Sequence, residues 1–286
     1  MKKSMKMNCK TNNALWAQPA STRTSAVLLL TALLTACGGG AGGGSGSVVV
    51  PPVPAPDYFA NPQVSCGDYK NTLPASLPWK LSRPSDWVVM GSSSAMGAGA
   101  SSPAKSWVGL LRSASIASGA TVHNVAMGGH STYHALSSQC VVSANRPKFS
   151  AEHNIEKALS LQPDLVLLSY PTNDAAGSLP VLETASNLML MRWQLAQKNA
   201  AVLVLSSQPR NMEKDKQALL LELDKLLKPV VGACFVELHA LLADAQGNLD
   251  ARYDFGDGVH LNDAGHAVIY QAVLARLQSR QCVDIL

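Results

Sequence analysis

The sequence predicts an α/β protein, a doubly wound α/β/α sandwich on a mostly parallel five-stranded sheet. Its short apolar runs do not alternate with polar residues, which is typical of strands buried on both faces of a sheet. Stretches of helical length separate these runs, as parallel strands require. The predicted strands are residues 87–90, 122–125, 165–168, 201–205 and 234–237. The predicted helices are residues 105–118, 150–161, 181–199, 213–228 and 263–279.

Composition favours one sizeable globular domain. The 286 residues are 47% hydrophobic and 15% charged, enough for a large core and unlike a disordered chain. The net charge of +4 is concentrated at the start, because five of the 23 Lys and Arg residues precede Cys37 and no acidic residue does. Without those five, 18 basic residues face 19 acidic ones. This near-neutral balance, with 5% aromatic residues, argues against nucleic acid as a partner.

The first 36 residues have the pattern of a secretory signal peptide. Basic residues precede a short apolar run over 26–34, which is too short for a membrane span. The run ends in Leu34-Thr35-Ala36-Cys37, which resembles the bacterial lipobox and implies that Cys37 is lipidated and anchors the chain to a membrane. The residue after the cysteine, Gly38, favours the outer membrane of a Gram-negative host. The alternative is an ordinary cleavage site beside an incidental Cys37.

A low-complexity segment follows the cysteine. Residues 37–56 are almost entirely Gly, Ser, Val, Pro and Ala, a composition typical of a tether. We therefore predict three regions: a signal peptide over 1–36, the lipidated Cys37 with its tether over 37–56, and the folded domain over 57–286.

Four cysteines remain in the predicted domain: Cys66, Cys140, Cys234 and Cys282. An even number in an exported protein suggests two disulfides, for which three pairings are possible. The alternative for Cys234, which lies in an apolar run, is a buried thiol. The spacing matches no zinc pattern, so no structural metal is expected.

Polar and small residues follow the predicted strands, at the edge where doubly wound proteins bind ligands. The first is the turn Gly91-Ser92-Ser93-Ser94, where a serine would have free backbone N–H groups around it. Such turns also serve simply as helix caps. The next two, Asn124 to Gly129 and Thr172-Asn173-Asp174, offer a close backbone approach and a side-chain amide donor. These too are open to a plain turn or cap reading.

The last predicted helix is preceded by Asp257-Gly258-Val259-His260. Residues three apart share one face of a helical turn, so the Asp257 carboxylate can orient the His260 ring as a general base. Each of the four segments is a weak signal alone. Taken together and in this order along the chain, the four segments would meet at one site.

In these four segments the chain resembles the SGNH, or GDSL-like, hydrolase family over about residues 86–279. The resemblance implies the flavodoxin-like form of the doubly wound fold. It implies Ser93 as nucleophile, His260 as base and Asp257 as the residue that orients the base. The oxyanion hole would comprise the N–H groups of Ser93 and Gly129 and the Asn173 amide, with Gly128 as an alternative donor. Two positions depart from the family pattern: Ser92 replaces the usual Asp, and Pro171 replaces a Gly.

Four further residues near these segments have less certain roles. We expect His130 and His134 to cap a turn or to face solvent, although both lie close enough to touch substrate. His266, in the last predicted helix, is expected at the surface. Arg210, after the fourth predicted strand, either lines the cleft or pairs with an acid.

The resemblance implies acyl transfer to water through Ser93, with no metal and no organic cofactor. The expected substrate is a small-molecule or glycan ester, with short acyl groups such as O-acetyl on a carbohydrate favoured by the small-residue loops and the predicted envelope location. Two alternatives remain open: an SGNH-fold envelope lipoprotein that binds without turnover, and an acyltransferase that uses the same triad.

Overall fold

The computed structural model of the chain describes residues 60–67 and 77–286. The predicted signal peptide, Cys37 and the tether over 37–56 lie outside the described residues. Within the described ranges, no helix combines the length and the apolar character needed to cross a membrane.

The central sheet has five strands, all parallel, and this confirms the predicted fold class. Its order is β4-β3-β6-β7-β8. The strands of the structure are β1 (Val64–Ser65), β2 (Trp79–Leu81), β3 (Ser85–Gly91), β4 (Ala120–Asn124), β5 (Val141–Val142), β6 (Leu165–Ser169), β7 (Ala201–Leu205), β8 (Phe235–Val236) and β9 (Val283–Ile285). The predicted strand over 234–237 is shorter than expected, because Gly232–Cys234 forms a 3₁₀ turn that delivers the chain to β8.

Burial on both faces explains why the central strands lack polar alternation. In β3, residues 87 to 90 are fully buried, and residues 165 to 168 of the neighbouring β6 are buried as well. Each aliphatic side chain buried in this way contributes roughly 1.5–3 kcal/mol to folding. Helices on both faces supply the cover that such strands need.

The helices are α1 (Ser93–Met96), α2 (Trp107–Arg112), α3 (Ile155–Ser160), α4 (Thr172–Ala176), α5 (Val181–Ala196), α6 (Lys214–Val231), α7 (His239–Leu242) and α8 (Asp263–Gln278). The three long ones, α5, α6 and α8, lie within two or three residues of their predicted bounds.

Two predicted helices are shorter in the structure. The helix expected over 105–118 is divided into α2 and two 3₁₀ turns, because Ser106 adopts an extended backbone and caps α2 by accepting a hydrogen bond from the Gly109 N–H. The helix expected over 150–161 begins only at Ile155. Its N-cap is Asn154, whose side chain accepts from the Lys157 N–H.

Two small sheets attach the outer segments of the domain, and each lies beside a disulfide. Strand β1 pairs antiparallel with β5, next to the Cys66–Cys140 bond. Strand β2 pairs parallel with β9, next to the Cys234–Cys282 bond. The two predicted disulfides are thus present with one defined pairing, and the alternative of a free Cys234 thiol is wrong.

Candidate active site

Three side chains from two distant segments form one hydrogen-bonded chain. The His260 Nε2 atom lies 3.1 Å from Ser93 Oγ, and His260 Nδ1 lies 2.6 Å from Asp257 Oδ2. Ser93 begins α1 directly after β3, whereas Asp257 and His260 lie in the loop before α8. The structure therefore brings together the three residues that the sequence selected for the triad.

The Asp257 carboxylate is held by the backbone of its own loop. Its Oδ1 accepts from the N–H groups of Val259 and His260, at 2.9 and 2.8 Å. Partial burial raises the pKa of Asp257, but hydrogen bonds from the backbone and ring of His260 and from Val259 outweigh burial and lower the pKa to about 2. The carboxylate is ionised at neutral pH and suited to orienting the ring.

A tight approach fixes the position of the Ser93 turn. A Cβ atom at Gly91 would lie 2.4 Å from the Ser169 carbonyl oxygen, so the end of β3 accommodates only glycine. One residue later, the Ser92 N–H donates to that same carbonyl at 3.0 Å. The turn is thereby fixed against the end of β6, and Ser93 is placed at the start of a helix.

The loop after β4 is tied to the Ser93 turn. The Asn124 side chain donates to the Ala95 carbonyl at 2.8 Å and accepts from the Ala126 N–H at 3.0 Å. Farther along this loop, Gly129 has a φ of +78°, a backbone conformation that favours glycine. In the described part of the chain, no protein acceptor receives the N–H of Ser93 or of Gly129. Both groups are therefore available to an anion.

The Asn173 amide, in the first turn of α4, has a partner on each side. Its Nδ2 donates to the His130 carbonyl at 3.0 Å, and its Oδ1 accepts from Arg210 Nη1 at 3.1 Å. An NH₂ group has two hydrogens, so one remains for a ligand. Of the two roles expected for Arg210, the structure shows the first: it lies beside the site, and its partner is an amide rather than an acid.

The preceding Pro171 does not displace this residue. Pro171 has helical dihedral angles and forms the N-cap of α4, so a short helix begins immediately after it. The departure from the family pattern at this position is therefore compatible with a helical presentation of Asn173.

Sequence reasoning gave no role to the buried Asp174, the next residue. Its carboxylate accepts from the Thr132 N–H at 3.0 Å and from the Thr132 hydroxyl at 2.5 Å. Burial raises the pKa of Asp174 to about 6, although the hydrogen bonds from Thr132 and Thr184 act in the opposite direction. The contact joins α4 to the loop that carries Gly129. An acid after a candidate amide donor was the only signal in the sequence.

Three histidines pack together beside that loop. The His130 ring stacks on His134 with centroids 4.5 Å apart and meets His153 edge-on at 5.3 Å. Burial, then the nearby His134 and His153, lower the pKa of His130 to about 4. As expected, His134 caps a turn: its Nδ1 accepts from the Ser131 N–H at 3.0 Å. His130 instead is half-buried against the other rings.

The expectation that His266 lies at the surface is wrong. Its side chain is fully buried. Its ring accepts from the Trp107 N–H at 3.4 Å through Nδ1, and its Nε2 donates to the Ala98 carbonyl at 3.0 Å. His266 thereby attaches α8 to the segment after Ser93. Helical spacing places it on the same face as Ile269, Val273 and Leu277, which are also buried, so the periodicity of α8 was the signal for its burial.

Within residues 60–67 and 77–286, no group of three or more His, Cys, Asp or Glu side chains is arranged to hold a metal ion. The chemistry available to this arrangement is that of a serine nucleophile, an imidazole base and nearby N–H donors.

Comparison with known protein families gives a match over most of the described domain. The GDSL-like lipase/acylhydrolase family matches residues 89–268, which cover most of the central sheet and all of the candidate site residues. No curated protein matches the chain by sequence.

Solved structures share the fold at low sequence identity. TesA has 20% identity and a TM-score of 0.51, and the match covers 68% of this chain and 99% of TesA. The psychrotrophic esterase EstA from Pseudoalteromonas sp. has 17% identity and a TM-score of 0.50, covering 68% of this chain and 97% of EstA. The acetyl xylan esterase AlAXEase has 15% identity and a TM-score of 0.51, covering 66% and 98%. On its sequence match and fold, the chain belongs to the GDSL-like lipase/acylhydrolase family.

Proposed function

We propose that this chain is a serine esterase that hydrolyses carboxylic esters with Ser93 as nucleophile. The observation that carries the proposal is the continuous hydrogen-bonded chain from Asp257 through His260 to Ser93. It lies at the carboxyl edge of the parallel sheet, where ligands bind in this class of fold.

The geometry supports a two-step acyl transfer. His260 Nε2 removes the Ser93 proton as Oγ attacks the ester carbonyl, and the protonated ring then donates to the departing alcohol. In the second step, His260 activates a water that attacks the acyl-enzyme and releases the acid. Asp257 holds Nδ1 protonated, so that Nε2 is free to accept the serine proton.

The oxyanion of the tetrahedral intermediate would be bound by the three donors described above. Two are the N–H groups of Ser93 and Gly129, and the third is the remaining hydrogen of Asn173 Nδ2. Prearranged donors of this kind stabilise the developing charge without having to reorient during the reaction.

For the substrate, we propose short-chain esters, among them O-acetyl groups on carbohydrate. The loop segments beside the nucleophile, Gly91-Ser92-Ser93-Ser94 and Gly128-Gly129, consist of small residues, which favours a short acyl group over a long alkyl chain.

For the location, we propose that the chain is exported and anchored through a lipidated Cys37, with the tether holding the domain away from the membrane. The support comes from the signal-peptide and lipobox patterns. Radiolabelled palmitate should enter the wild-type protein in a bacterial host and should fail to enter Cys37→Ser. Equal labelling of both would contradict the anchor.

The activity test compares p-nitrophenyl acetate hydrolysis by the full-length wild type, Ser93→Ala and Ser94→Ala. We expect Ser93→Ala to lose at least about 10⁴-fold in kcat, because the nucleophile is absent. Ser94→Ala removes a hydroxyl one residue away and should retain most of the activity. Equal background rates in the wild type and Ser93→Ala would refute the proposed esterase activity.

The acyl preference is tested on the same proteins with esters from acetyl to decanoyl. A kcat/KM that is highest for acetyl or butyryl supports the short-chain proposal. A steady rise towards decanoyl would contradict it and would indicate a lipase.

A further inference from the structure

The guanidinium of Arg210 is a charged group beside the proposed oxyanion site. Arg210 is half-buried in the segment that follows β7, and its Nη1 donates a hydrogen bond to Asn173 Oδ1 at 3.1 Å. No carboxylate of the described residues lies within 4.0 Å of its nitrogens. Its strongest polar contact is therefore with a neutral amide, which is unusual for a partly buried cation.

The two partners of the Asn173 amide allow only one orientation. Arginine can only donate, so the side facing Arg210 must be the carbonyl oxygen. The His130 backbone carbonyl can only accept, so the side facing it must be the NH₂ group. Rotating the amide by 180° would break both hydrogen bonds. The second hydrogen of Nδ2 is thereby fixed in direction as well.

A cation at Oδ1 also strengthens the amide as a donor. Hydrogen bonds in which one partner is charged are about twice as strong as neutral ones, and hydrogen-bonded groups in series polarise one another. Positive charge at Oδ1 draws electron density from the amide nitrogen. The remaining N–H then interacts more favourably with a negatively charged oxygen.

The segment that carries Arg210 is itself fixed from two directions. The Arg210 carbonyl accepts from Gln217 Nε2 of α6 at 3.1 Å. The next residue, Asn211, donates its N–H to the Gly258 carbonyl at 2.8 Å, and Gln208 Nε2 donates to the Val259 carbonyl at 3.0 Å. This segment therefore contacts the loop of the base as well as the Asn173 amide.

We propose that Arg210 is a positioning residue, which orients and polarises the Asn173 amide for the transition state. The inference rests on the proposed esterase function. In this role Arg210 acts through Asn173 and need not contact the substrate.

The first test is the kinetics of Arg210→Met, which keeps a long side chain and removes the donors. We expect kcat for p-nitrophenyl acetate to fall about 10- to 100-fold with KM changed less than about threefold, since the affected contact forms only in the transition state. Arg210→Lys should restore part of kcat, since it keeps the charge but not the planar geometry. Arg280→Met, the same change at an exposed residue, is the matched control. Thermal unfolding of each variant separates a folding defect from this effect.

The second test is a double-mutant cycle with Asn173→Ala. If Arg210 acts through the amide, Arg210→Met has no further effect on kcat once Asn173 is alanine. Independent, multiplying losses would overturn the inference. A rise in the KM of Arg210→Met that is confined to esters bearing a carboxylate, such as p-nitrophenyl hemisuccinate, would also overturn the inference. Arg210 would then bind substrate directly.

Failure of this inference is distinguishable from failure of the proposed function. If Ser93→Ala abolishes hydrolysis and Arg210→Met retains the wild-type kcat, only the role of Arg210 is wrong. If the wild type is no faster than Ser93→Ala, the esterase itself is wrong and the inference falls with it.

Discussion

The Asp257 carboxylate accepts hydrogen bonds from both the ring and the backbone N–H of His260. The residue that orients the base is thus bonded twice to the base residue itself. These local bonds align the two groups, and Gln208 and Asn211 hold the same loop from outside it. In addition, the His260 carbonyl accepts from the Phe255 N–H at 2.9 Å, which closes the loop.

Asp257→Asn should lower kcat by about 10³- to 10⁴-fold with little change in KM. An asparagine has one acceptor oxygen and presents an NH₂ group to one of its three N–H partners, so the ring loses its preferred tautomer. Steady-state kinetics on p-nitrophenyl acetate measures the loss. Asp250→Asn makes the same chemical change where the carboxylate contacts only Arg252, and it should keep activity. Similar rates for both variants would contradict the role of Asp257.

Asp174→Asn should destabilise the fold by roughly 1–3 kcal/mol, because its NH₂ group would face the buried Thr132 N–H. The cost should depend on pH. The folded-state pKa of Asp174 is raised to about 6 from 3.8, so the folded protein binds the proton more tightly than the unfolded chain. The stabilisation that comes from tighter proton binding is therefore complete below pH 3.8, and the wild type loses it as pH rises to about 6.

Urea unfolding of wild type and Asp174→Asn at a series of pH values checks this dependence. The difference in the free energy of unfolding should be largest near pH 4 and smaller at pH 7. A difference that grows with rising pH would show that the carboxylate is stabilised in its charged form instead.

His130→Phe should reduce the loss of stability in acid. The pKa of His130 is lowered to about 4 in the folded state, so the unfolded chain takes up the proton first and the wild type loses stability as pH falls from about 6.5 towards 4. Phenylalanine cannot be protonated and still stacks on His134. Because His130 is only half-buried, the difference is on the order of 1 kcal/mol.

Chemical denaturation of wild type and His130→Phe between pH 4 and 8 tests this. The two curves should run parallel above about pH 7, and the wild-type curve should fall below that of the variant in acid. Parallel curves over the whole pH range would mean that protonation of His130 does not contribute to the loss of stability in acid. The Nδ1 atom of His130 is buried and has no hydrogen-bond partner in the described structure, so the substitution removes no bond at that atom.

Reduction of the two disulfides should lower the melting temperature. Each bond restricts the unfolded chain, and a bond of this kind is typically worth 2–4 kcal/mol. The paired cysteines are 74 residues apart for Cys66–Cys140 and 48 apart for Cys234–Cys282, so the longer loop should cost slightly more when opened. Calorimetry of Cys66→Ala/Cys140→Ala and Cys234→Ala/Cys282→Ala tests the two separately. Unchanged melting temperatures would contradict the prediction.

The sheet was predictable from local patterns, whereas the roles of Ser93, Asp257 and His260 were implied by the family resemblance of the segments that carry them. Apolar runs mark the strands, and parallel strands bring their carboxyl ends to one edge whatever connects them. The contacts that support the site were not predictable in this way. Arg210 meets Asn173 across 37 residues and Thr132 meets Asp174 across 42, and no spacing in the chain signals such pairs.

His266 shows why a buried polar residue is hard to recognise. On α8 it lies three residues before Ile269 and seven before Val273, so helical spacing does place it on the buried face, and only the polarity of its side chain indicated the surface. The partners of its ring are backbone groups of Ala98 and Trp107, which any sequence could supply. The helix bounds were missed for a similar reason, because serine and asparagine caps act through a few local hydrogen bonds.

The pairing of β2 with β9 has a consequence for how the chain acquires its structure. Trp79 lies opposite Val283 and Leu81 opposite Ile285, so two segments about 200 residues apart form one parallel pair. A chain that emerges from its N-terminal end cannot make this pair until residue 285 is available. The segment around β2 therefore cannot complete its pairing until the last strand is available, whereas β1, which precedes it, can already pair with β5.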